Sequence, residues 1–197
     1  MRIVRPGETL PEHELRFFAK MAGRSYLHDP VHTYATRDAK KRETFVYHFI
    51  MERLHSSNGT DYFYIDDAMR GICVWRKARN EYGVLDFLRC ADWTYLARHL
   101  PSTVRTLRAY RALDVRVFSE NTWIISPVFV APEHQGKGVA AALIRQGIED
   151  LTAQGYSLGL ETQSTENVKI YEKLGFSVVK ETPYPKGNIT HYYMLYT

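Results

Sequence analysis

One stretch of the chain constrains the fold more than any other: an apolar run, a glycine-rich turn and an amphipathic helix follow one another over residues 128–154. The run is Val128-Phe129-Val130, the turn holds Gly136 and Gly138, and apolar residues then recur at helical spacing. A strand that leads directly into a helix places that helix's first backbone N–H groups, and the positive end of its dipole, at the turn. The sequence therefore predicts a site for phosphate or pyrophosphate there.

The rest of the chain alternates strands and helices, which predicts an α/β fold. The predicted strands are 3–4, 62–65, 71–75, 123–130, 158–163, 177–180 and 192–196. The predicted helices are about 9–21, 38–57, 85–118 with a break at Pro101, 138–154 and 167–174. A capping box at Thr9–Glu12 would begin the first helix, and Asp29-Pro30 would mark a break. We expect a parallel strand pair joined by the 138–154 helix at the centre of the sheet.

Composition limits the classes of function. A length of 197 residues suggests one domain, and 45% apolar residues can form a substantial core. The formal charge of +4 is spread among residues of both signs, which fits a small polyanionic ligand and does not by itself indicate nucleic acid. Two cysteines make no disulfide framework, and no apolar run reaches membrane-spanning length, so we expect a cytoplasmic protein with no membrane partner.

Two common phosphate-binding motifs do not fit the turn. A P-loop needs G-x-x-x-x-G-K-S/T, and Gly136-Lys137-Gly138-Val139 lacks both that spacing and the hydroxyl residue. A dinucleotide fingerprint needs G-x-G-x-x-G near the start of its βαβ unit, whereas Ala141 stands at the third glycine position and the motif comes late in the chain.

A third pattern, Q/R-x-x-G-x-G/A, matches Gln135 to Ala140. With Asn167 and the run 170–176 downstream, the chain resembles the GCN5-related N-acetyltransferase (GNAT) superfamily, and that run resembles its puromycin acetyltransferase branch. The resemblance is strongest over about 123–180. It implies one acetyltransferase domain over 1–197, with an acceptor-side part at about 1–120 and an acetyl-CoA-binding part at about 121–197.

The resemblance also implies an architecture and a cofactor. We expect a mixed central sheet of about six to seven strands, splayed between its two middle parallel strands, with helices on both faces. Acetyl-CoA would be the co-substrate, its pantetheine arm lying in the splay and its pyrophosphate on the turn. The predicted cofactor-binding residues are Val128, Phe129, Val130, Gln135, Gly136, Lys137, Gly138, Val139, Ala140, Asn167 and Tyr171.

Two residues are predicted to be catalytic. By resemblance, Tyr171 would protonate the departing thiolate, because a phenol with an ordinary pKa of about 10 stays protonated at neutral pH. Asn167 lies four residues before it and would share its helix face. Glu161 would be the base for the amine, because it points away from Leu158 and Leu160 in a central strand, where a carboxylate is costly unless paired or functional. Glu120 is the alternative base.

The acceptor is less well specified by the sequence. We expect a small-molecule primary amine, bound by an aromatic wall with one anionic anchor, formed by Asp29, Tyr34, Trp75, Tyr184, Pro185 and His191.

Other features of the chain leave alternatives open. The arginines after Pro101, namely Arg105, Arg108, Arg111 and Arg116, predict a solvated stripe, or alternatively an RNA or acidic-protein contact. His28 and His32 are spaced as a metal pair but have no third ligand, so we expect no metal. A non-catalytic CoA-binding module is the other alternative, and the aromatic last strand could form a homodimer.

Overall fold

The computed structural model describes residues 1–78, 93–111 and 115–197 of the chain. Its strands are β1 (Arg2–Val4), β2 (Tyr62–Ile65), β3 (Gly71–Lys77), β4 (Thr122–Val130), β5 (Ser157–Thr162), β6 (Phe176–Tyr184) and β7 (Ile189–Tyr196). Within those ranges they form one seven-stranded sheet in the order β1-β2-β3-β4-β5-β7-β6. The central pair β4–β5 is parallel, and the described pairs on either side of it are antiparallel.

The helices cover both faces of this sheet, as expected. They are α1 (Glu12–Ser25), α2 (Pro30–Ala35), α3 (Ala39–Ser57), α4 (Trp93–Arg98), α5 (Leu100–Arg111), α6 (Val139–Thr152) and α7 (Thr165–Glu172). Helix α6 joins the two parallel strands, which confirms the predicted centre. No helix in the described ranges is long and apolar enough to cross a bilayer.

Alternate side chains of β3 show how the sheet separates two cores. Cys73 and Trp75 pack on the face covered by α6, whereas Ile72 and Val74 pack on the face covered by α1 and α3. All four side chains are fully buried. A strand buried on both faces reads as a continuous apolar run, and this explains the unbroken apolar sequence at 72–75.

Local capping chemistry begins two of the helices. Asp38 accepts a bond from the Lys40 N–H at 2.9 Å and caps α3, as predicted. Asp29, which the sequence predicts to lie at a break, accepts from the His32 N–H at 3.0 Å and caps α2. The capping box at Thr9–Glu12 was a wrong prediction, because α1 begins at Glu12 after Pro11 and has no side-chain cap.

The predicted helical stretch 85–118 is confirmed over most of the residues that the structure describes. It contains α4 and α5, which meet just before the predicted break at Pro101, and then a short 3₁₀ turn at Val115–Val117. Residues 79–92 and 112–114 of this part of the chain lie outside the described residues. At the other end of the chain, β6 and β7 extend well beyond the predicted 177–180 and 192–196 and make a long hairpin.

Candidate active site

A wedge opens in the middle of the sheet, where β4 leaves β5. The parallel ladder runs from Thr122 paired with Ser157 to Ile125 paired with Leu160, and then ends, although both strands continue. On the other side of β4 the register with β3 shifts by one residue at the same place. This bulge contains Pro127, which has no N–H to donate to a ladder. The expected splay between the parallel strands is therefore present.

The wedge side of β4 carries the backbone groups of Val128 and Val130. Ala131 donates its N–H to Arg70 O at 2.8 Å, towards β3. Because successive residues of an antiparallel strand point their polar groups to opposite sides, the N–H and C=O groups of Val128 and Val130 point into the wedge. The Phe129 side chain is core, packed on the α1–α3 face.

The end of α1 holds this half-strand in place. Tyr26 donates its hydroxyl to Val128 O at 2.6 Å, and Ser25 donates to Val130 O at 2.8 Å. These bonds satisfy the two wedge-facing carbonyls and orient the neighbouring N–H groups towards the opening. Neither Ser25 nor Tyr26 was predicted, because the partners are more than 100 residues apart and no local pattern links them.

The glycine turn joins the wedge to α6. Gly136 has φ 72° and Gly138 has φ 79°, in the left-handed region that favours glycine. A Cβ atom at either position would meet open space, with nothing within 4 Å. Gly138 is also the N-cap of α6 and provides no side-chain cap. The N–H groups of the first helical turn, including those of Val139 and Ala140, are thus directed to the turn's open mouth.

The two polar side chains of this turn support its shape. Gln135 donates its side-chain amide to Val130 O at 3.1 Å, so it braces the turn against β4. The Lys137 ammonium folds back to Glu133 O at 3.0 Å. A concave, glycine-lined turn with helical N–H donors fits a diphosphate, and the adjoining wedge fits an extended chain that hydrogen-bonds as a strand would. Coenzyme A combines these two parts.

Helix α7 carries both Asn167 and Tyr171, one turn apart. Tyr171 is 8% exposed and packs edge-on against Phe176, with ring centroids 6.1 Å apart. Asn167 lies exposed in the first turn, where its N–H donates to the Ser164 cap at 3.3 Å. Burial raises the pKa of the Tyr171 phenol, and the nearby Cys73 raises it further. Tyr171 is therefore held protonated, on the α6 side of the sheet.

Glu161 lies near the end of β5, directly after Leu160, which is the last residue of β5 paired with β4. It forms a polar cluster with residues of β5 and β7. Leu158 and Leu160 pack under α6, and Glu161 points to the opposite face, as predicted. Its Oε1 lies 3.1 Å from His191 Nδ1 and also accepts from the Gln163 amide. His191 is fully buried, and its Nε2 has no hydrogen-bond partner among the described residues.

An open groove of about 570 Å³ lies next to this cluster, between α2 and the β6–β7 turn. Tyr34 lines the groove, and its hydroxyl lies 3.4 Å from that of Tyr184. The Tyr184 ring lies 6.5 Å from the His191 ring, centroid to centroid. The structure thus brings together four residues of the predicted wall, namely Tyr34, Tyr184, Pro185 and His191.

The other two predicted wall residues, Trp75 and Asp29, do not line the groove. Trp75 is fully buried on the opposite face, under α6. The Asp29 carboxylate is used to cap α2 and is not an anchor at the centre of a pocket. Strand alternation places Trp75 there, because it lies two residues after Cys73 and therefore points to the same face of the sheet.

Position decides the predictions for the alternative base and for the arginine stripe. Glu120 precedes β4 at its far end, eight residues or roughly 26 Å of extended chain from Val128, so it is not a base for the wedge. Burial lowers the pKa of His32, and no group of three metal-ligating side chains occurs in the described ranges. Arg105 donates to Ala35 O at 2.9 Å and joins α5 to α2, so it is not part of a solvated stripe.

Comparisons with known proteins agree with this geometry. The model of the acetyltransferase (GNAT) family matches residues 75–176, just over half of the chain. An acetyltransferase from Corynebacterium glutamicum, described as histone acetyltransferase HPA2 and related acetyltransferase, aligns with TM-score 0.65 and 14% identity, covering 98% of this chain and 93% of that one. An N-acetyltransferase from Staphylococcus aureus aligns with TM-score 0.62 and 14% identity, covering 99% and 100%.

A third solved structure contains the ligand itself. The paia N-acetyltransferase from Thermoplasma acidophilum, in complex with coenzyme A, aligns with TM-score 0.56 and 14% identity, covering 100% of this chain and 99% of that one. At this level of identity the structures establish the shared fold, and the family match establishes the relationship. The chain belongs to the acetyltransferase (GNAT) family, and it is an N-acetyltransferase that uses acetyl-CoA.

Proposed function

We propose that the enzyme transfers the acetyl group directly to the primary amine of a small molecule, with Glu161 as base and Tyr171 as acid. The observation that carries this proposal is the position of Glu161. Its carboxylate lies at the end of β5 where the sheet opens, next to a buried histidine and a groove lined by tyrosine. A carboxylate in that setting suits the removal of a proton from an amine.

The cofactor side would position one reactant. The glycine turn and the first N–H groups of α6 would hold the diphosphate of coenzyme A, and the N–H groups of Val128 and Val130 would hold its pantetheine arm and orient the thioester carbonyl. Bound acetyl-CoA supplies an activated acetyl thioester. Gln135 and Lys137 would act by keeping the turn in shape, and the exposed Asn167 would border the arm.

The acceptor side would activate the other reactant. Most molecules of an alkylamine are protonated at neutral pH, so the nitrogen must lose a proton before it can attack the thioester carbonyl. Glu161 would accept that proton, directly or through one water. His191 is a positioning residue, because its Nδ1 lies 3.1 Å from the carboxylate and limits its rotation. The nitrogen–carbon bond forms as the carbon–sulfur bond breaks.

Tyr171 would complete the transfer by donating its phenolic proton to the leaving sulfur. Burial keeps the phenol protonated over the working pH range, which an acid requires. No enzyme nucleophile is needed. Cys73 is fully buried and its thiol pKa is raised by that burial, so it is a poor nucleophile, while Cys90 lies outside the described residues.

Thiol release from acetyl-CoA, measured against small amines, peptides and RNA, tests the proposal. Tyr171→Phe and Glu161→Gln should each lower kcat by about 100-fold or more and leave CoA binding nearly unchanged. Tyr196→Phe is the matched control, because Tyr196 also packs on Phe176, at 5.5 Å. Transfer confined to peptides or RNA would replace the small-molecule acceptor, and unchanged kcat in both variants with intact CoA binding would support a non-catalytic module.

A further inference from the structure

The groove beside Tyr34 carries basic side chains that have no carboxylate partner among the described residues. Arg37 and Lys186 both line it and are both exposed, one from the end of α2 and one from the β6–β7 turn. His28 lies on the same rim. No Asp or Glu lines the groove, and neither Arg37 nor Lys186 forms an ion pair with a described residue. Two segments about 150 residues apart in sequence thus place cations around one opening.

A third cation, Arg108, lies near Tyr184. The Arg108 guanidinium is close enough to Tyr184 to oppose part of the rise that the Tyr34 hydrogen bond causes in the pKa of Tyr184. Arg108 is exposed, on α5, and also has no ion pair with a described residue. The tyrosine pair is therefore surrounded by positive side chains from α2, α5 and the β6–β7 turn.

A row of packed side chains links the groove to the proposed base. The Tyr34 and Tyr184 rings contact edge to face at 5.7 Å, Tyr184 lies 6.5 Å from His191, and His191 contacts Glu161 at 3.1 Å. Glu161 is the negative side chain of this series, and Arg37 and Lys186 lie at its other end, on the groove rim. His191 is fully buried between them, and its Nε2 has no partner among the described residues.

We infer that the acceptor is a small amine that also carries an anionic group, a carboxylate or a phosphate, held by Arg37 and Lys186 while its amine reaches Glu161. This inference rests on the proposed function and adds the charge of the acceptor. Opposite charges at the two ends of one groove select for a molecule with the complementary pair of charges. A purely cationic amine meets like charges at the rim. The anionic anchor expected from Asp29 is thus replaced by a cationic one.

Matched acceptor pairs test the inference in the steady-state thiol-release assay. One pair is phenylalanine and phenethylamine, and a second is phosphoethanolamine and ethanolamine, so the two arms distinguish a carboxylate from a phosphate. In at least one pair the anionic member should have kcat/KM about 10-fold or more above its partner. A wild-type enzyme that shows no preference for the anionic member in either pair would overturn the inference.

Variants locate the effect at the rim. Arg37→Gln and Lys186→Gln should each raise KM for the anionic acceptor about 5-fold, with kcat and KM for acetyl-CoA little changed. The partner lacking the anion should be unaffected. Lys20→Gln, which removes an exposed lysine from α1, is the matched control and should leave all constants unchanged. Equal effects on both members of a pair, or a raised KM for acetyl-CoA, would contradict the assignment of the rim to the acceptor.

The outcome separates this inference from the proposed function. If Glu161→Gln abolishes transfer to amines while the rim variants change nothing, the base assignment stands and the anionic acceptor is wrong. If the rim variants act selectively but Glu161→Gln does not, the groove assignment stands and the base is wrong. Higher salt should raise KM for the anionic acceptor more than for its partner, because screening weakens exposed charge contacts.

Discussion

The proposed cofactor side and the proposed acceptor side of this enzyme are built in opposite ways. The glycine turn, the end of β4 and the start of α6 are contiguous in sequence, over 122–142, and backbone atoms would provide the binding groups. The acceptor side joins residues that are far apart, since Tyr34 and Tyr184 are 150 positions apart and Glu161 and His191 are 30 apart. A site that binds through main-chain groups tolerates changes of side chain, whereas a site that binds through side chains does not. A shared cofactor site therefore does not imply a shared acceptor.

The largest expected effect tests whether the glycine turn binds through its backbone conformation. Gly138→Ala places a Cβ on a residue with φ 79° and should weaken CoA binding by about 10- to 100-fold, measured by calorimetry. Gly155→Ala is the matched control, because Gly155 has the same φ and the same open surroundings at the other end of α6. Equal loss of CoA binding in both variants would mean that strain alone, and not the site, is responsible.

A second glycine pair compares how tightly the two sides are packed. A methyl group at Gly147 would overlap the indole of Trp75, whereas one at Gly187 would lie 2.7 Å from Cδ1 at the flexible end of Ile189 and 3.1 Å from the Tyr34 ring. Gly147→Ala should lower the free energy of unfolding by about 2 kcal/mol, and Gly187→Ala by under about 1 kcal/mol, in urea titrations. Gly187→Ala should instead raise KM for the acceptor. The reverse order of stabilities would show that the groove is the more rigid region.

Alkaline pH provides a third comparison. Because burial raises the pKa of Tyr171 in the folded protein, its contribution to stability is complete below the ordinary tyrosine value of about 10 and is lost as pH rises above it. The slope is at most about 1.4 kcal/mol per pH unit. Between about pH 9 and 11, wild type should lose stability more steeply than Tyr171→Phe. Parallel curves would argue against a buried phenol, and Tyr196→Phe, on a more exposed ring that also packs on Phe176, should follow wild type.

The smallest expected effect concerns the support of the wedge. Tyr26→Phe removes the bond to Val128 O and keeps the ring contacts with Phe129 and His32. It should cost about 1 kcal/mol of stability and raise KM for acetyl-CoA by about 3-fold, because the half-strand is less well oriented. Tyr156→Phe, on a ring that packs against Trp123, is the control. An unchanged KM would mean that the wedge keeps its shape without α1.

The predictions that succeeded depended on local signals. The turn at 135–140, the helix after it and the hairpin at 62–75 were predicted because spacing, glycine and apolar periodicity act within a few residues. The orientation of Glu161 away from the leucines followed from strand alternation alone. The predictions that failed concern residues whose surroundings are set by segments distant in sequence. Trp75 lies on the other face from the groove, Asp29 caps a helix, and Arg105 bridges two helices.

The sequence by itself therefore determined the α/β fold and the glycine turn that opens α6, because backbone conformation follows from short-range sterics and hydrogen bonding. Tertiary structure alone decided that α1 would support the wedge, that His191 would lie against Glu161, and that three cations would surround the groove. Contacts between residues tens to more than a hundred positions apart depend on how the sheet and helices pack, and no short sequence pattern records that packing.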